Sequence, residues 1–530
     1  MIMSVFVRQM APMPLSAIVF LIAGLIALPL LYVTYSAITV DAAVWERLWN
    51  TRVPELALNT ISLALGVALV TLCLGISTAW LLTRYTFRGR GFWEWALVLP
   101  LAIPSYVLAY VYTFLLDLGG PIERIWQALA GPEARVFSPY TFWGALLVMT
   151  LNTFPFVYLL SRSAFLTFNV SYEEAARVTG ASKWRTFFFV SLPLIRPALV
   201  AGLFLVTLYV VSDFGAVSLL RFQTFTYAVY QQISGRFDYH AASALSLLLV
   251  AFAIAFLSAE RWFRRKSRFY QTTGHQRPLR PFPCSSIKTT MITGYLAIVF
   301  IGAFALPTAY LAYWTVTGLS AGTVSGTFLE YLWNSLTLSA TAATLALCLG
   351  TPVAYLASRY PSKWTILCLQ GAYSGYVLPG PVAALALMMV FMQGVPFLYG
   401  TVVVLILAYL IHFLPAGLQA MESSLHQVAP NLEEAARSLG HRALHVFRRI
   451  TFPLVRGGFF VAWMLMFIQA MKELPATLLL RPVGFDTLAV RIWLEASEEL
   501  YQLAAPPALL IILVTAPIVF LLSRNHWQIS

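Results

Sequence analysis

Twelve apolar stretches, each long enough to cross a bilayer, constrain this chain more than any other feature. They lie near 15–37, 56–82, 94–116, 141–161, 195–215 and 241–258, then 291–316, 331–357, 368–393, 400–420, 455–472 and 506–523. A spanning helix takes roughly 20 mostly apolar residues, and inside hydrocarbon each backbone N–H and C=O has to be paired within the protein. Long unbroken runs therefore mean helices, whereas a transmembrane barrel would show short alternating segments. With 60% hydrophobic and 10% charged residues among 530, the chain has too little polar sequence for soluble domains of that size. The expected fold class is all-α integral membrane, with about twelve transmembrane helices in two sets of six.

The two sets are copies. Ser171-Tyr172-Glu173-Glu174-Ala175-Ala176-Arg177-Val178-Thr179-Gly180 leads on to Leu192-Pro193-Leu194. Asn431-Leu432-Glu433-Glu434-Ala435-Ala436-Arg437-Ser438-Leu439-Gly440 leads on to Phe452-Pro453-Leu454. Glu174/Glu434, Gly180/Gly440, Pro193/Pro453 and Arg196/Arg456 all keep an offset of 260. Upstream, Asn59, Cys73-Leu74-Gly75, Arg84-Tyr85 and Pro104 recur as Asn334, Cys348-Leu349-Gly350, Arg359-Tyr360 and Pro379, at an offset of 275. Spacing held over this length is a duplication. The step of 15 residues fits the loop at 117–140, where insertions are tolerated. Both copies share one orientation, as parallel repeats do. The expected domains are an N-terminal half at 1–260, a basic linker at 261–290 and a C-terminal half at 291–530, with polar loops at 171–193 and 431–453.

Each polar loop reads as a short helix. Ser171 with Glu174, and Asn431 with Glu434, have the spacing of a capping box. The acidic pairs sit in the first turn, where the helix dipole favours them. Gly180 and Gly440 suit the left-handed residue that ends a helix. Ala175-Ala176 and Ala435-Ala436 leave one face low enough for another backbone to approach. On local pattern alone these helices also fit amphipathic connectors lying on the membrane.

Charge sets the orientation. With the N-terminus inside, 25 of the 34 Lys+Arg fall on inner segments, eight of them in the linker. Both termini and both polar loops are then cytoplasmic, and the net charge of +13 follows from topology without a nucleic-acid partner. No Gly-x-x-x-x-Gly-Lys-[Ser/Thr] phosphate loop occurs, so this chain does not hydrolyse ATP by that route. Cys73 and Cys348 read as small packing residues inside spans, Cys368 opens a span and Cys284 is cytoplasmic. Neither a disulfide nor a metal spacing is expected.

Glu-Ala-Ala, three residues, Gly, then a Pro-ended apolar run resembles the EAA loop of permeases in bacterial ATP-binding-cassette (ABC) importers. The resemblance implies the type I ABC importer permease fold, in which this loop is a cytoplasmic coupling helix docked on an ATPase subunit. It carries Glu173, Glu174, Ala175, Ala176 and Gly180, with Glu433, Glu434, Ala435, Ala436 and Gly440, over as coupling positions. It implies a multi-pass protein of the inner membrane, two copies of a cytoplasmic ATPase and a periplasmic or lipid-anchored binding protein as partners. No catalytic residue, resident metal or cofactor belongs to the chain itself. An ion-gradient-driven secondary transporter would share the twelve spans and the parallel repeat, but not the duplicated motif.

The fifth span of each half ends in charge. Ser212-Asp213-Phe214-Gly215 through Arg221 matches Lys472-Glu473-Leu474-Pro475 through Arg481 at the offset of 260. An ionised side chain costs roughly 3 kcal/mol or more at the bilayer centre and less at a span end. Asp213 and Glu473 either anchor a helix end at the outer interface or face the substrate pathway, where hard oxygen ligands suit a small, highly charged cation. These segments, with Leu99 to Tyr110 and Phe485 to Arg491, resemble fused ferric-iron permeases. Fused permeases for thiamine and for phosphonates share the same plan. His412, beside Pro415, and Tyr106, Tyr110 and Tyr112 read as packing residues.

Overall fold

The computed structural model describes residues 13–167, 169–265, 281–322 and 326–528. The stretch 266–280 of the expected linker lies outside the described residues. Among the described residues nine helices are long and apolar enough to cross a membrane. They are Met13–Ile38, Val53–Arg84, Phe142–Leu166, Tyr239–Phe256, Ser286–Ser320, Phe328–Arg359, Val402–His426, Ala443–Met471 and Tyr501–Ser523. Counting each of three bent pairs as one span brings the total to twelve, one for each expected stretch.

The bends have local causes. The third span of each half breaks at a proline, between Arg90–Ala102 and Ser105–Ala130 by 93° and between Lys363–Val377 and Gly380–Gly394 by 110°. Pro104 and Pro379 donate no hydrogen bond and push the preceding residue out of helical backbone, so Ile103 (ψ 124°) and Leu378 (ψ 106°) are extended. A carbonyl freed inside a membrane needs a new partner, and Asn152 Nδ2 donates to the Ile103 oxygen at 2.9 Å. The third bend, 68°, lies between Lys183–Leu194 and Arg196–Ser212, where Pro197 follows Pro193 by four residues. Gly457 stands at the equivalent place in the second copy, and Ala443–Met471 runs as one 29-residue helix.

The chain packs as two compact units whose boundaries cross the sequence repeat. One unit joins the first helix to Leu329–Val490, with Val229–Leu247. In it, Tyr32 Oη donates to Gln393 at 3.4 Å, and Ser374 Oγ to the Ile26 carbonyl at 3.5 Å. The other unit joins Glu46–Ala228 to Leu248–Phe328 and the C-terminal Arg491–Ser530. There Trp314 stacks on Tyr501 at 5.1 Å, and Thr515 Oγ1 donates to the Ala102 carbonyl at 3.0 Å. Each unit thus holds the core of one half with terminal segments of the other: the first helix and Val229–Leu247 in one, Ser286–Ser320 and Tyr501–Ser523 in the other.

Within each unit the repeat is visible as repeated bonds. Asn59 Nδ2 donates to the Gln223 carbonyl at 3.0 Å, and Asn334 Nδ2 to the Asp486 carbonyl at 3.0 Å. Thr60 and Ser335, one residue on, accept from the backbone N–H of Phe225 and Leu488. Gly75 permits a close helix crossing: a side-chain carbon there would lie 2.6 Å from Val157 Cβ and 2.9 Å from the Tyr158 nitrogen. Tyr106, Tyr110 and Tyr112 are buried, as expected. Cys73 and Cys348 are not packing residues; both are exposed on apolar helices among large exposed side chains such as Leu69 and Leu345. A surface of that kind is the one lipid covers. All four cysteines are free.

Candidate functional site

The two polar segments fold alike. Ser171–Val178 and Pro430–Ser438 are short helices, each ended by a glycine in the left-handed region, Gly180 at φ +87° and Gly440 at φ +86°. In both, the residue after the glycine donates across the end of the helix, Ala181 N–H to Ala176 O at 3.1 Å and His441 N–H to Ala436 O at 3.3 Å. The glycines serve conformation rather than space, since a side-chain carbon on either would meet nothing within 4 Å.

The capping boxes do not form. Ser171 is the first helical residue rather than the cap, and its N–H is taken by Asn169 Oδ1 at 3.1 Å. Pro430 opens the second helix, where its fixed φ suits the position and its missing donor costs nothing. Glu174 and Glu434 therefore do not reach back to a cap, and both are exposed, as are Ala175 and Ala435. Ala176 is half-buried and Ala436 buried.

Glu173 and Glu433 have the opposite environment, each being only 2% exposed. Glu173 Oε2 accepts from Arg84 Nη2 at 2.5 Å, and its Oε1 from Ser191 Oγ at 2.7 Å. Glu433 Oε1 accepts from Arg359 Nε at 2.9 Å and from Thr451 Oγ1 at 3.0 Å, while its Oε2 accepts from Tyr355 Oη at 2.7 Å. Arg84 and Arg359 are the last residues of Val53–Arg84 and Phe328–Arg359, where the helix dipole favours a cation. Ser191 and Thr451 close wide π turns, Phe187–Ser191 and Phe447–Thr451, each two residues before a proline. A proline ring clashes with the carbonyl four residues back, and the widened turn relieves it. The recurrence of Arg84-Tyr85 as Arg359-Tyr360 is the sequence signal for these partners; only the fold shows what they hold.

The two joints differ around this common core. Arg84 lies 5.0 Å from the Trp80 ring centroid and 5.1 Å from that of Phe282. Phe282 is brought there by a two-residue parallel pairing of Tyr85–Thr86 with Phe282–Pro283. In the second copy Tyr355 replaces Trp80 and adds its hydroxyl to the glutamate. Arg437 then donates to the Tyr355 and Tyr360 hydroxyls at 2.8 and 2.9 Å.

Asp213 and Glu473 sit at the far ends of the fifth spans from the polar helices. Asp213 Oδ1 accepts from the N–H groups of Ala216 and Val217 at 2.9 and 3.4 Å, and Oδ2 from Ser105 Oγ at 2.5 Å. Glu473 Oε1 accepts from Ala476 N–H at 3.0 Å. Each carboxylate thereby caps the short helix that follows it, Gly215–Leu219 or Pro475–Leu480. Among the described residues no three His, Cys, Asp or Glu side chains are placed to hold a metal ion.

Residues 72–269 and 346–524, most of the chain in two blocks, match the family described as binding-protein-dependent transport system inner membrane component. The chain belongs to that family. It is a two-half permease of an ABC importer, a multi-pass component of the inner membrane. The permease is 33% identical over 522 residues to the Fe(3+)-transport system permease protein FbpB 2 of Haemophilus influenzae, covering 98% of this chain and 99% of that one. It is 25% identical over 491 residues to the ferric transport system permease protein FbpB of Actinobacillus pleuropneumoniae, covering 87% and 70%. The molybdenum transport system permease protein ModB of Escherichia coli aligns over 93% of its own length with 40% of this permease, at 32% identity. A relative that fits within less than half of the chain is what a fusion of two copies produces.

Proposed function

We propose that this permease imports ferric iron handed over by a periplasmic binding protein, driven by two cytoplasmic ATPase subunits docked on Ser171–Val178 and Pro430–Ser438. The observation that carries the solute is similarity along the whole length of a relative named for Fe(3+) transport. The observation that carries the coupling role is a pair of capless, glycine-ended helices with the same exposed Glu-Ala pair, Glu174-Ala175 and Glu434-Ala435. Exposed apolar side chains flank both: Tyr172, Val178 and Trp184 in one copy, Leu432, Leu439 and Leu444 in the other. Fixed charge ringed by apolar surface is what a protein partner grips.

In this reading both termini and both polar helices are cytoplasmic, in keeping with the basic inner segments. ATP closes the ATPase pair, the coupling helices move together, and the spans attached to them turn the binding cavity from one side to the other. Asp213 and Glu473 hold the broken outer ends of the fifth spans in shape through this motion. Reconstitution of the permease with its ATPase in proteoliposomes tests the assignment. ATP-dependent uptake from a ferric-loaded binding protein is expected; stimulation only by a thiamine- or phosphonate-loaded protein would reassign the solute. Uptake driven by an ion gradient without ATP would overturn the class.

A further inference from the structure

We propose that Arg84 and Arg359 are positioning residues of the transport cycle. Each ties a polar helix to the end of a long span, so that a displacement imposed on the helix is delivered to that span. The inference rests on the coupling role proposed above and identifies how the motion leaves the helix.

The polar helices bury little else, and beyond the glutamate the second has Arg437, which donates to Tyr355 and Tyr360 at the end of the same span. In Ser171–Val178 the only buried residue is Glu173, and in Pro430–Ser438 only Glu433 and Ala436 are buried. An amphipathic helix is normally fixed by a buried apolar face, and these bury little apolar surface, their larger apolar side chains Tyr172, Val178 and Leu432 being exposed. The attachment that both copies share is the carboxylate. Arg84 is 6% exposed and pairs with Glu173 at 2.5 Å; Arg359 pairs with Glu433 at 2.9 Å through a side chain 7% exposed. A surface ion pair opens readily, but a buried one with both carboxylate oxygens occupied does not, because opening it strands charge away from water. The third member of each joint, Ser191 or Thr451, belongs to the turn that leads into the fifth span. One buried glutamate therefore binds the polar helix to two spans at once, in both copies. Arg84 and Arg359 need touch neither ATPase nor solute to matter; they act through Glu173 and Glu433.

The test uses the full permease assembled with its ATPase in proteoliposomes and supplied with ferric-loaded binding protein, with all readings taken per assembled complex. Arg84→Ala and Arg359→Ala are expected to retain the ATPase while uptake per ATP hydrolysed falls about tenfold or more, with Arg84→Lys and Arg359→Lys recovering part of it. Wild-type uptake per ATP in both alanine variants would overturn the proposal, and so would a loss that merely follows the amount of complex recovered. If the alanine variants do not assemble, Arg84→Gln and Arg359→Gln decide, since each keeps a polar side chain and removes the charge of the pair. A lowered uptake per ATP is expected in both, and a wild-type ratio in both would overturn the role. Absence of ATP-driven uptake by the unaltered permease would instead refute the coupling reading beneath it.

Discussion

Glu173 and Glu174 are chain neighbours with opposite fates, one buried against Arg84 and the other open to solvent. Glu173→Ala strands a buried guanidinium and should cost about 3 kcal/mol or more, read as a lower apparent Tm of the purified permease. Glu174→Ala should stay within about 0.5 kcal/mol of wild type in the same measurement. Equal Tm shifts would contradict the assignment of surroundings. Glu174→Lys and Glu434→Lys should instead insert normally and lose transport, checked by uptake against membrane content. The effects need not be equal, because Ser182 caps the helix after the first loop through the Arg185 N–H, whereas Arg442 gives no side-chain cap. At this scale the glycines were legible, since a left-handed residue ends such a helix whatever surrounds it. The capping boxes were misread because Pro430, and an asparagine two residues before Ser171, supply the start by other means. The partners of Glu173 were not legible, because Arg84 is 89 residues away and pairing at that distance is a property of the fold.

Among elements, the twelve spans could be read from hydrophobic length alone, and their bends could not. A run of apolar residues measures how much chain crosses the bilayer, not whether it crosses straight. Pro104 and Pro379 mark the breaks in retrospect, but Pro155 and Pro415 lie inside helices that continue. The difference is tertiary: where neighbouring groups satisfy the freed carbonyl, as Asn152 does for Ile103, a break is tolerated. Helix contact is likewise local to particular residues. Gly75→Leu should overpack the crossing with Phe142–Leu166 by about 1–3 kcal/mol and reduce the yield of folded permease, while Gly24→Leu, with nothing near its side-chain position, should not. Equal yields from the two variants would contradict the packing described.

For the whole molecule, the sequence repeat and the packing units are different partitions, and only the first shows in the sequence. A helix apolar on most sides carries no record of which core it joins, so the placement of Met13–Ile38 with Leu329–Val490 was not readable. The exchange has a consequence. Residues 1–265 expressed alone should not give a protease-resistant unit, whereas co-expression with 281–530 should; a stable, resistant first half by itself would contradict the exchange. The central claim is that both polar helices meet an ATPase on the cytoplasmic side, and cysteine cross-linking tests it most directly. In a cysteine-free background, Val178→Cys and Leu439→Cys in inside-out vesicles should each form an adduct with added ATPase. Failure of both to cross-link, with labelling of either cysteine only from the opposite face, would contradict the account.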